Sequence, residues 1–264
     1  MKNYKGIVFF DYDGTLIDEV DGIFELPDSA KEAITKLREN GYATCVCSGR
    51  TKQFSEDVKD YFDGYVAGAG AYCELDGEVV LSYEITPKEI EAMREICTPR
   101  GIVMLMDGEN QSYSDGIGSD TYEFFRYVFH VRDHWVLPWS TEEKCKINKL
   151  TFMFHNEEDA KIIHREFSSD LEMAQHIRYK FIDATPIGVD KGSGIRKIIE
   201  YTGIPLENTY CFGDGDNDLP MVKTVGNPII MGRHYAGLEP YAKFTTDLVK
   251  NDGIKKGLEH FGLI

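Results

Sequence analysis

The sequence predicts an α/β protein, a Rossmann-like, doubly wound parallel sheet that carries an inserted α+β domain. Three observations point there. A short, wholly apolar run at residues 6–10 and largely apolar runs at 42–47 and 209–212 alternate with helical segments near both ends of the chain. Runs of this kind are strands buried on both faces, as in parallel sheets. Each run stops abruptly in small polar or acidic residues, as expected where the carboxyl ends of parallel strands line a ligand crevice. The rhythm changes with a hairpin between residues 71 and 82 and then, over about 83–183, gives way to separate strands and helices, the pattern of an α+β unit. The expected division is a core of residues 1–82 and 184–264, with an inserted domain over 83–183.

The elements follow in order. Gly6-Ile7-Val8-Phe9-Phe10 runs straight into Asp11-Tyr12-Asp13-Gly14-Thr15. Pro27-Asp28-Ser29 supplies a helix start, Ala30, Ala33, Ile34 and Leu37 recur at helical spacing, and Asn40-Gly41 gives a left-handed stop. A second strand, Tyr42-Ala43-Thr44-Cys45-Val46-Cys47, ends in Ser48-Gly49-Arg50; a helix over 53–62 and a short strand at Tyr65-Val66 complete a βαβαβ rhythm. Asp76-Gly77 between two strand-like runs marks a hairpin.

In the inserted region, Thr86-Pro87-Lys88-Glu89 combines a capping box with proline at the first helical position, opening a helix to about Cys97. Strands are expected at 102–106, 111–114, 150–154 and 177–182, with a helix over 157–167 and a less regular aromatic stretch in between. The expected arrangement is an antiparallel sheet with helices on one face. The α/β rhythm then returns: a helix over 193–201 ends at Gly203, and the strand at 209–212 runs into Gly213-Asp214-Gly215-Asp216-Asn217-Asp218. Shorter elements follow at 229–231 and 253–260.

Composition narrows the function classes. With 264 residues, 42% hydrophobic and 28% charged, the chain can bury a full core. A formal net charge of -16 argues against nucleic acid and anionic membranes as partners. It leaves room for a small phosphorylated metabolite, because a metal and a few cations reverse the field locally. No stretch approaches the roughly 18 apolar residues of a membrane span. The first strand begins within a few residues of Met1, which is read as leaving no room for a signal peptide. The six cysteines form no CxxC pair, so a reduced, cytoplasmic protein is expected, as a monomer or homodimer.

The three polar strand ends, Asp11/Asp13, Ser48 and Asp214/Asp218, meet along one edge if their strands are neighbours. Carboxylates gathered there repel one another unless a cation sits among them. Oxygen donors without histidine or cysteine favour Mg²⁺ over Zn²⁺. The expected chemistry is aspartate-based phosphoryl transfer. Each element alone has a plainer reading: a lone Asp-x-Asp is commonly a solvated turn, Ser48-Gly49 an ordinary helix cap, and Lys191-Gly192 a surface lysine.

Taken together, Asp11-Tyr12-Asp13-Gly14-Thr15, Ser48-Gly49-Arg50, Lys191 before Gly192, and Gly213-Asp214 through Asn217-Asp218 resemble the four motifs of the haloacid dehalogenase superfamily phosphatases. Their order and the long insert resemble the Cof-type subfamily with a type II cap. The resemblance covers nearly the whole chain. Two departures stand out: Ala69-Gly70-Ala71 where Asn-Gly-Ala is usual, and Asp216 where a small residue is usual.

The resemblance implies a Mg²⁺-dependent phosphatase for small phosphomonoesters, sugar phosphates first, working through an aspartyl-phosphate. It gives nucleophilic attack to Asp11 and acid–base work to Asp13. Lys191 takes the charge that develops at phosphorus, as a catalytic and a substrate-binding residue. Ser48, Gly49, Arg50 and Asn217 go to substrate binding. The metal goes to Asp11, Asp214, Asp218 and Asp13, the last through its backbone carbonyl; Asp218 is alternatively an orienter of Lys191. Thr15 is expected to fix the turn. Two other readings share the fold, a phosphomutase and a non-catalytic phosphate-ligand binder. The aromatic and cationic segment from Tyr122 to Trp135 is a candidate for leaving-group contact, against the plainer reading of core plus solvated face.

Overall fold

The computed structural model describes residues 2–141, 144–176 and 179–264. By its contacts the chain divides into two units: Met1–Gly49, Ser55–Leu81 and Asp190–Ile264 in the first, Arg50–Phe54 and Ser82–Val189 in the second. In chain order the elements are β1 (Gly6–Phe10), α1 (Asp28–Glu39), β2 (Tyr42–Cys47), β3 (Gly64–Ala67), β4 (Tyr72–Leu75) and β5 (Glu78–Ser82). The second unit adds α2 (Pro87–Cys97), β6 (Val103–Gly108), β7 (Ser112–Ser114), α3 (Asp120–Val128) and β8 (Val136–Pro138). It continues with β9 (Ile147–Met153), α4 (Glu157–Phe167), β10 (Leu171–His176) and β11 (Phe181–Pro186). The first unit resumes with α5 (Lys191–Thr202), β12 (Thr209–Gly213), α6 (Leu219–Thr224), β13 (Asn227–Ile230), β14 (Phe244–Thr245) and α7 (Gly253–His260).

The first unit's sheet runs β14-β13-β12-β1-β2-β3-β4-β5. Every pair from β14 to β3 is parallel, and β4 turns antiparallel on β3. The runs are largely apolar because both faces are covered. Val8, Phe10, Val46 and Phe212 meet α1 and α7 through Ala30, Ile34 and Leu258. Ile7, Phe9, Cys45 and Cys211 meet α5 and α6 through Ile195, Ile198 and Met221 on the other side. The six cysteines are free, and burial pushes the Cys73 and Cys97 thiols up to about 12, leaving them small hydrophobes.

The second unit's sheet runs β10-β11-β9-β6-β7-β8, antiparallel except for β7 beside β8. On one face Met104, Met106, Leu150 and Phe152 pack against Ile90 of α2 and Ile163 of α4. Helices were expected on one face only, but α3 lies on the other. There Tyr122 packs with Val103, Leu105, Met153, Trp135 and Phe181. Helix α3 was illegible because its aromatics point both ways: Tyr122 is buried, whereas Phe124 and Tyr127 are exposed. Its start is nonetheless capped, by the Ser119 side chain accepting from the Tyr122 N–H.

Two further expectations fail locally. A single strand was expected over 177–182; instead β10 and β11 form a hairpin, with His176 paired to Phe181 and Lys180 in the left-handed region. Ile177 and Arg178 themselves lie outside the described residues. The expected helix over 53–62 is a pair of 3₁₀ segments broken at Ser55. Its apolar residues serve two cores: Phe54 stacks on Trp135, while Val58 and Phe62 enter the first unit's core. Among the described residues no helix is long and apolar enough to cross a membrane.

Candidate active site

Strands β1, β2 and β12 are adjacent and parallel, so their carboxyl ends emerge side by side. The ladder between β1 and β12 closes with the Asp11 N–H donating to the Phe212 carbonyl at 2.9 Å. The chain then winds tightly: the N–H groups of Leu16 and Ile17 both donate to the Tyr12 carbonyl, and that of Gly14 to the Ile17 carbonyl. Gly14 has φ +84°, and a Cβ at this position would fall on the Asp214 carboxylate. Only glycine supplies both the backbone angle and the room. Beside it, the buried Thr15 hydroxyl donates to Asp214 Oδ1 at 3.0 Å. Asp11 and Asp214, about two hundred residues apart in the chain, are thus locked together by the turn itself.

The loop after β12 folds back on Asp218. Its Oδ2 accepts from the N–H groups of Asp214 and Gly215 at 2.8 and 2.9 Å. Lys191 comes from α5, whose N-terminus is two residues earlier than the sequence pattern suggested. Asp190 is its cap, accepting from the Ser193 N–H at 2.6 Å while its own N–H donates to Ser193 Oγ. Lys191 is therefore the first helical residue and is only 2% exposed. Its Nζ donates to Asp11 Oδ1 at 2.5 Å and to Asp218 Oδ1 at 2.6 Å. Gly70 packs so closely on the Asp190 carbonyl that a Cβ would collide with it. This is the role that glycine plays in Ala69-Gly70-Ala71.

The electrostatics are unbalanced. Carboxylate oxygens of Asp11, Asp214 and Asp218 lie within 4.8 Å of one another, against one ammonium. Burial, then the Asp218 charge, outweigh Lys191 and push Asp11 up to about 7. Burial, then Asp11 and Asp218, push Asp214 up to about 9. For Lys191 burial works against the charge, but the two carboxylates prevail and hold its pKa well above the usual value. An all-oxygen donor set with surplus negative charge fits a hard divalent cation such as Mg²⁺ and offers none of the histidine or cysteine that Zn²⁺ prefers. Asp218 uses both oxygens on Lys191 and the two amides. All three carboxylates could hold a cation; Asp11 and Asp214 are the two not already bound to the loop amides.

The remaining expected residues are placed less tightly. Ser48 is buried at the end of β2, its N–H donating to the Val66 carbonyl and its own carbonyl accepting from Ala69. Asp13 is exposed, outside the carboxylate cluster, and Asn217 is exposed on the turn before Asp218. Gly49 closes the first unit's segment, whereas Arg50 belongs to the second. The Asp190 cap was overlooked; the signal was Asp190-Lys191-Gly192-Ser193 ahead of Ile195 and Ile198.

Comparison with known proteins gives a consistent picture. A model of the haloacid dehalogenase-like hydrolase family matches residues 8–258. YkrA of Bacillus subtilis (strain 168), provisionally named a phosphatase, is 26% identical over 271 residues, 98% of each chain. From the same organism, the 5-amino-6-(5-phospho-D-ribitylamino)uracil phosphatase YitU is 23% identical over 280 aligned positions, with 100% of each chain covered. The solved structure of the subclass IIB sugar phosphatase BT4131 superposes with a TM-score of 0.80 at 28% identity, over 98% of this chain and 100% of that one. With the family match running nearly end to end and a subclass IIB structure sharing the fold, the chain belongs to the haloacid dehalogenase-like hydrolases, in their Cof-type branch.

Proposed function

We propose that this hydrolase is a Mg²⁺-dependent phosphatase that cleaves small phosphomonoesters, sugar phosphates foremost, through an aspartyl-phosphate on Asp11. The observation that carries the reading is the buried Lys191, hydrogen-bonded at once to Asp11 and Asp218, with Asp214 against them. A structural ion pair needs one carboxylate; this cluster has a surplus. The substrate class draws support from two similar proteins, one named for a phosphoribityl compound and the other a sugar phosphatase.

In this reading the Asp11 carboxylate attacks phosphorus. The bond from phosphorus to the leaving oxygen breaks as Asp13 protonates that oxygen. Asp13, now a carboxylate, takes a proton from the water that attacks the aspartyl-phosphate. Inorganic phosphate leaves and Asp11 is restored. Lys191 faces the negative charge of the transition state, and Asp218 holds it in place. Ser48, Gly49, Arg50 and Asn217 bind phosphoryl oxygens. Asp11, Asp214 and the Asp13 carbonyl would hold Mg²⁺, which when bound supplies positive charge for phosphoryl oxygens.

The test is phosphate release from a panel of phosphorylated metabolites with Mg²⁺. Sugar phosphates are expected among the substrates, and chelation is expected to abolish turnover. Ca²⁺ should replace Mg²⁺ poorly, because it takes more ligands at longer distances. A panel without release, or full activity after chelation, overturns the reading.

A further inference from the structure

Arg233, just after β13, has no part in the reaction outlined above, yet it ties two loops of the site together. Its Nη1 donates to both oxygens of Asp18, at 3.1 and 2.8 Å, and its Nη2 to Asp21 at 3.0 Å. Asp18 is buried and closes the loop that carries Asp13. Its N–H and carbonyl pair both ways with Ile23 at 2.9 Å, and its Oδ1 accepts from the Val20 and Asp21 N–H groups. The residue before it, Ile17, bridges to Asp13. On the other side, two residues beyond Arg233, the Tyr235 N–H donates to the Asp214 carbonyl at 2.7 Å. One guanidinium therefore fastens the Asp13 loop to the loop that holds the Asp214 backbone. The two terminal nitrogens of the planar guanidinium engage one carboxylate each, Asp18 through Nη1 and Asp21 through Nη2, a fixed two-point reach that the single nitrogen of a lysine does not reproduce.

We infer that Arg233 is a positioning residue: through Asp18 it holds the Asp13 loop in register with the Asp214 side of the site. The role rests on the acid–base function proposed for Asp13. Loosening the clamp leaves Asp11 and Lys191 in place and misplaces the proton donor. The cost then depends on how much the leaving oxygen needs a proton. An alkoxide needs one to depart, whereas a nitrophenolate leaves largely without.

The experiment compares wild type, Arg233→Ala and Arg233→Lys on a sugar phosphate and on p-nitrophenyl phosphate. For Arg233→Ala, kcat should fall about tenfold on the sugar phosphate and less than about threefold on the aryl ester, with KM little changed. Arg233→Lys should recover part of the loss. In an Asp13→Ala background, Arg233→Ala should cost nothing further. Backbone amides of residues 16–23 should exchange hydrogen faster in Arg233→Ala, a readout independent of turnover. Equal losses on both substrates, no loss, additivity with Asp13→Ala, or unchanged exchange overturn the positioning role. A wild type that releases no phosphate from either ester overturns the phosphatase reading itself, which is a distinguishable result.

Discussion

Lys191 and Asp11 are 180 positions apart, and nothing in the residues flanking Lys191 separates it from a surface lysine. Its place in an ordered set of motifs made it legible; its burial and its bond to Asp11 were not. Asp218 stood between two readings, metal ligand and orienter of Lys191. The spacing from Asp214 put it near the site, but only the turn shows both oxygens occupied, by Lys191 and by two amides. Asp11→Asn should abolish turnover, to below about a hundredth of wild type, because an amide is a poor nucleophile of the same shape. Asp218→Asn should act differently. An amide accepts through one atom only, so Lys191 or the loop amides lose a partner. A fall in kcat of about tenfold or more, with the protein still folded by circular dichroism, is the expected outcome.

At the scale of elements, buried strands and helices with marked starts were readable: β1, β2 and β12 by largely apolar runs, α1 and α2 by Pro27-Asp28-Ser29 and by the Thr86 capping box. Elements with mixed faces were not, as α3 and the β10–β11 hairpin show, because periodicity disappears when a helix buries one aromatic and exposes the next. The second unit's sheet also hides a charged cluster. Lys149 on β9 is buried, 2.6 Å from Asp183 of β11 and 3.5 Å from Asp107 of β6. Burial raises the Asp183 carboxyl, but Lys149 and His176 together outweigh it and hold the group below the usual range; for Asp107 burial wins over Lys149. Lys149→Met strands two carboxylates and should cost about 3 kcal/mol in urea unfolding. Asp107→Asn keeps an acceptor for the Ser112 hydroxyl, which donates to Asp107 at 2.8 Å, and should cost less than about 1 kcal/mol. The stability tied to Asp183 is present above its unfolded value near 3.8 and is lost as pH falls below it.

For the whole molecule, a net charge of -16 repels anionic substrates at long range, so capture of a phosphoester depends on charge arranged locally. The local arrangement makes a prediction about pH. Asp11 and Asp214 are held up, to about 7 and about 9, by burial and by each other's neighbourhood of carboxylates. A carboxyl whose folded pKa lies above its unfolded value near 3.8 binds its proton more tightly when folded. Its stabilisation is full below that unfolded value and is lost as pH rises through the folded one. Without divalent cations, then, this cluster destabilises the protein progressively from about pH 4 to pH 9. Mg²⁺ competes with those protons, so it should bind weakly at pH 5.5 and strongly at pH 8. At saturating Mg²⁺ the melting temperature should rise by about 5 °C or more at pH 8, and by far less at pH 5.5. In Asp214→Asn the gain at pH 8 should largely disappear. A thermal shift that is the same at both pH values, or that survives Asp214→Asn, would mean that the cation sits elsewhere on this acidic surface, where ions bind without displacing protons from a buried cluster.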